Sequence, residues 1–60
     1  MSNLKLMLKA GAKIDECRQH LFNKGFSYHE ANSMVMDVFE KGGSKNFQEQ
    51  IDILHNKFLK

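Results

Sequence analysis

Leu21-Phe22-Asn23-Lys24-Gly25-Phe26-Ser27-Tyr28-His29-Glu30-Ala31 decides the fold, because it stops one helix and starts another within a few residues. Gly25 supplies the left-handed residue just past a helix end, and Phe26 behind it is placed to pack back on Leu21, as that cap requires. Ser27 followed by Glu30 has the spacing of a capping box. The Ser hydroxyl accepts from the Glu30 amide, and the Glu carboxylate accepts from the Ser27 amide. One helix therefore ends near Lys24 and the next begins at Tyr28.

Upstream of this turn, Met7, Ala10, Ile14, Cys17 and Leu21 recur at helical spacing and form one stripe. Leu4, Leu8 and Phe22 widen it, while Lys5, Lys9, Lys13, Glu16 and Asn23 fall opposite. The pattern predicts an amphipathic helix over about 3–24 whose stripe is buried by its neighbours. Gly11 lies inside it and costs about 1 kcal/mol relative to Ala, which leaves a break or bend there open. Downstream, Tyr28, Ala31, Met34, Val35, Val38 and Phe39 give a second apolar face over 28–41, ended by Gly42-Gly43. A third helix over about 45–59 starts at Ser44 or Asn46, with Asn46 favoured by Glu49 three positions on. Phe47, Ile51, Leu54 and Phe58 form its stripe, with Leu59 at the margin. No alternating stretch competes, so the expected fold is all-α: a small three-helix bundle in one domain spanning 1–60.

The order of signals from Cys17 to Leu54 resembles the ubiquitin-associated (UBA/CUE-like) three-helix module. The resemblance is carried by Leu21, Lys24-Gly25-Phe26, Ala31, and Asn46-Phe47 with Ile51 and Leu54. In that family a Met-Gly-Phe loop and the end of the third helix receive the apolar patch of a ubiquitin-like partner. Lys24 stands here where the Met would be. The resemblance implies a docking module, and similar modules serve as protein-docking units in bacterial translation factors. Leu21, Gly25, Phe26, Ser27 and Glu30 are also similar to the helical repeats of recombination-regulating proteins.

Length and composition set the function classes. Sixty residues make one domain whose core supplies a net few kcal/mol, roughly 3 to 5, and leave no room for a large enclosed active site. The expectation is a protein without enzymatic activity, cofactor or small-molecule substrate. A single Cys makes no intramolecular disulfide, which points to a reducing cytoplasm. Lys5 and Lys9 interrupt the only apolar run near the N-terminus, so no membrane span is expected. Cys17 and His20 have Cys-x-x-His spacing, and His29 or His55 would be needed to extend them toward zinc. Cys17 reads more simply as a small core residue and His20 as a surface one.

Charge is uneven along the chain. Residues 1–24 carry five bases against Asp15 and Glu16 (+3), residues 25–40 carry Glu30, Asp37 and Glu40 (−3), and residues 41–60 return to +2. Arg18, inside the apolar arc of the first helix, is expected to pair with Asp37 or Glu40. Met36 and Ile53 fall off their apolar stripes and read as exposed. With Lys24, Gly25 and Phe26 they form the candidate contact set for another protein or a second copy. The alternative is weak, sequence-blind binding to nucleic acid through Lys5, Lys9 and Lys13, spaced four apart. The first reading is an accessory or regulatory docking module of a larger complex. The small size also suits an inhibitor of viral or mobile-element origin.

Overall fold

A computed structural model describes residues 2–41 and 46–60, with side chains from Leu4 onward. Among the described residues the chain is all-α, with α1 over Ser2–Asn23, α2 over Tyr28–Lys41 and α3 over Phe47–Leu54, followed by a π-helical turn over His55–Leu59. Gly42, Gly43 and Ser44, expected to end the second helix and offer one start for the third, lie outside the described residues.

The boundary between α1 and α2 forms as its residues dictate. Gly25 adopts φ +113°, its amide donates to the Phe22 carbonyl at 3.0 Å, and the Phe26 amide donates to the Leu21 carbonyl at 3.3 Å. Those two bonds satisfy carbonyls that the helix end would otherwise leave without partners. The Ser27 amide then donates to Glu30 Oε1 at 3.0 Å, and the Glu30 amide donates to Ser27 Oγ at 3.1 Å. At α3, Asn46 is the N-cap in an extended conformation, and its Oδ1 accepts from the Glu49 amide at 2.8 Å.

Helix α1 is one element through Gly11. Its glycine is accommodated without interrupting the helix. The C-terminus differs from a regular α-helix: from His55 the backbone widens to i→i+5 pairing. That wider turn brings Leu59, marginal on an α-helical wheel, as well as Phe58 against the core.

The core is narrow. Cys17, Leu21, Ala31, Val35 and Leu54 are buried together, with Ile14, Met34, Val38, Phe39, Phe58 and Leu59 packed around them. Cys17 sits at its centre, fully covered, and its Sγ–H donates to the Leu54 carbonyl at 3.7 Å. Burial pushes the Cys17 thiol up, with a smaller opposing pull from Lys13. The thiol is thus a neutral core group.

Two expectations are corrected by the packing. Arg18 pairs with Asp15 on its own helix and with Asn32 Oδ1 of α2 at 2.7 Å, while its guanidinium lies 5.9 Å from the centre of the Tyr28 ring. Asp37, proposed as its partner, is instead held by Lys41 at 3.1 Å. The i, i+3 and i, i+4 neighbours on one helix are within reach of any rotamer, whereas cross-helix pairing needs a particular crossing. The stripe of α1 is also not buried along its whole length. Ala10, Cys17 and Leu21 are buried, but Leu4, Met7 and Leu8 remain 62%, 50% and 67% exposed. The 22 residues of α1 span about 33 Å and the 14 of α2 about 21 Å at 1.5 Å per residue. The shorter neighbours do not cover both flanks of the longer helix.

Candidate docking groove

The N-terminal half of α1 presents an apolar face beside α2. Met7, Leu8, Gly11, Ala12, Ile14 and Met36, with Asp15 and Arg18, line an open groove of about 680 Å³. Leu4 extends its exposed apolar rim by another turn. The helical period explains the arrangement. Residues 4, 7, 8 and 11 share one side of α1, rotated away from the Ala10, Cys17, Leu21 line that faces the core.

Gly11 is one of the residues lining this groove. Apart from its chain neighbours and the helix's own backbone, no heavy atom lies within 4 Å of the position its Cβ would occupy. Methionines at positions 7 and 36 give the walls adaptable, unbranched side chains.

The charges along the first half of α1 are all positive, whereas α2 carries exposed Glu40 one turn after Met36. Lys5 and Lys9 are exposed and follow Leu4 and Leu8 by one position, about 100° around the helix. From Leu4 to Ile14 every charged residue is a lysine. The first acids, Asp15 and Glu16, are already engaged, Asp15 by Arg18 and Glu16 by Lys13 at 3.1 Å. Lys13 is also 3.3 Å from His55 Nδ1, a contact that ties the middle of α1 to the π turn.

The residues singled out from the sequence are distributed as follows. Met36 lies in the groove, half-buried instead of exposed, because the side of α2 that carries it faces α1. Ile53 is likewise half-buried on α3 and does not line the groove. Lys24, Gly25 and Phe26 form the α1–α2 turn, where Phe22, Phe26 and Tyr28 are all partly or largely exposed. Of the three lysines proposed for phosphate contact, Lys5 and Lys9 are exposed while Lys13 is drawn into its contacts with Glu16 and His55. The apolar stripe from Leu4 to Leu8 is the part of the site that periodicity alone assigned to the core. Its length relative to α2 was the signal that some of it would stay uncovered.

Among the described residues no helix is long and apolar enough to cross a membrane, and no three His, Cys, Asp or Glu side chains are grouped to hold a metal ion. No family model matches the chain, and no curated protein or solved structure shows significant similarity to it.

Proposed function

We propose that this protein is a non-enzymatic docking module that receives another protein in the groove between α1 and α2. The observation that carries this reading is the exposure of Leu4, Met7 and Leu8 on one helix face, beside open space at the Cβ position of Gly11. Contiguous exposed apolar surface on a small domain marks an interaction site far more often than three scattered residues would. The thin core supports the same reading, since a sixty-residue bundle gains stability from whatever covers its apolar face. The UBA/CUE resemblance supports docking at the level of the fold. Its loop-centred surface corresponds to Lys24, Gly25 and Phe26, which make a second contact point beside exposed Phe22 and Tyr28. The role that follows is an accessory or regulator of a larger assembly.

The test is site-specific photocrosslinking in the source cells, with the photoreactive side chain placed at Leu8 and, as control, at exposed Asn56 on the π turn. A single protein adduct from Leu8 that persists after nuclease treatment, and is absent from Asn56, supports docking through the groove. Adducts formed equally from both positions, or lost with nuclease, contradict it. The second outcome would favour the nucleic-acid reading through Lys5 and Lys9.

A further inference from the structure

We infer that the π turn over His55–Leu59 is a pH-sensitive latch, held on α1 by Lys13 while the His55 imidazole is neutral and released when the ring takes a second proton. Lys13 Nζ lies 3.3 Å from His55 Nδ1, across 42 positions of sequence. An ammonium has three donors and no acceptor, so Nδ1 must accept and the ring proton must sit on Nε2. A protonated ring carries a donor at both nitrogens. Two cationic donors would then face each other across this gap, and the hydrogen bond is lost.

The surrounding charges give the imidazolium another place to go. Among the described residues, α1 and α3 are the elements packed against the π turn. From α1 come Lys13 itself and Glu16, whose carboxylate is already engaged by Lys13 at 3.1 Å. Lys9, one turn before Lys13, and His20, one turn after Glu16, lie on that side of α1 and supply no negative charge. From α3 comes exposed Asp52, three positions before His55 and within reach of it along one side of the helix. Lys57 inside the turn and Lys60 just after it add only positive charge. Protonation therefore exchanges a contact with α1 for a local one with Asp52.

The backbone also has a second state to adopt. Pairing of the i→i+5 kind is rare and occurs mostly as single turns such as this one. What favours it here is the packing of Phe58 and Leu59 on the core, together with the hold of Lys13 on His55. Resuming α-helical pairing after Leu54 would keep Phe58 on the stripe of Ile51 and Leu54 and turn Leu59 to its margin. Leu59 is therefore the side chain that reports whether the latch is closed.

Nuclear magnetic resonance on the full chain tests this at about pH 8 and about pH 5, on either side of the ordinary histidine value of about 6.5 and above the ordinary carboxylate values. At the higher pH the ring-nitrogen shifts of His55, assigned by their loss in His55→Gln, should show Nδ1 bare and Nε2 protonated. Cross-relaxation between the Leu59 methyl groups and the buried cluster should be present at the higher pH and lost at the lower one. His55→Gln offers Lys13 an amide oxygen that does not titrate, so it should keep the Leu59 contacts at both. Lys13→Met should remove the response to pH, and His20→Gln with His29→Gln should leave it as in the parent. A proton on Nδ1 at the higher pH, Leu59 contacts that do not change with pH, or a loss that persists in His55→Gln or Lys13→Met overturns the inference. Loss of the helical circular dichroism of the whole chain at the lower pH would also contradict it, because only the terminal turn is released.

Discussion

Ser27 and Glu30 bind each other reciprocally across the first turn of α2, each backbone amide donating to the other's side chain at 3.0 and 3.1 Å. This closes two of the four amide donors that a helix start leaves open, at the point where the chain reverses direction. The same bonds hold the Glu30 carboxyl below the usual carboxylate range, the Ser27 amide first and its hydroxyl second.

Ser27→Ala removes one of these bonds and should destabilise the fold by about 1 kcal/mol, measured by urea unfolding at neutral pH. Glu30 also predicts an acid limb. Its folded form binds a proton less readily than its unfolded form, so its contribution is present above the ordinary carboxylate value. That contribution is lost as pH falls through the lowered one. The urea midpoint should therefore drop as pH falls below the ordinary Glu value of about 4.3, and this part of the drop should vanish in Glu30→Gln.

Two glycines should respond to alanine with opposite signs. Gly11 is helical with open space around it, so Gly11→Ala should stabilise by about 1 kcal/mol through helix propensity alone. Gly25 also has open space, but its φ of +113° is strained for any side chain, so Gly25→Ala should cost about 1 kcal/mol or more. Thermal unfolding of the two variants under one set of conditions checks both signs.

Cys17 should be inert while the protein is folded. Its thiol is fully covered and its ionisation is pushed up by burial, so a disulfide reagent should modify it only at the rate at which the domain opens. Adding urea should accelerate the reaction in step with the unfolded fraction. Fast modification in the absence of denaturant would mean that the core around Leu54 is open. The sign at high pH follows: folding keeps the proton on, so stability declines as pH rises past the ordinary thiol value and on through the raised one.

Leu54 is the largest of the completely buried side chains and is packed where α3 meets α1. Leu54→Ala should cost about 2 to 5 kcal/mol, comparable with the whole stability of a domain this size, and leave a chain largely unfolded by circular dichroism at 37 °C.

Much of the fold is legible in local chemistry. The Gly25-Phe26-Ser27 turn, the Glu30 capping box and the Asn46 cap each depend on residues no more than five apart, and each forms as its sequence requires. The apolar stripes are legible for the same reason. What a stripe does not encode is how far a neighbour reaches along it. Ala10 and Met7 belong to one predicted stripe, yet only Ala10 is covered, because coverage depends on the crossing and length of α2 and α3. Pairings across the fold are equally hidden: Lys13 meets His55 42 positions away, and nothing near either residue announces it. The π turn escapes as well, since a change from i→i+4 to i→i+5 pairing follows from how Phe58 and Leu59 pack.

The most direct test of docking through the α1–α2 groove is the Gly11→Leu variant carried through two assays, thermal unfolding of the purified chain and co-purification from the source cells. The account predicts an unfolding temperature at or above that of the parent, because the new side chain enters open space on a helix, together with loss of the partner that copurifies with the parent. A variant that is folded and stable yet retains that partner in the same ratio would contradict the groove as the site of docking.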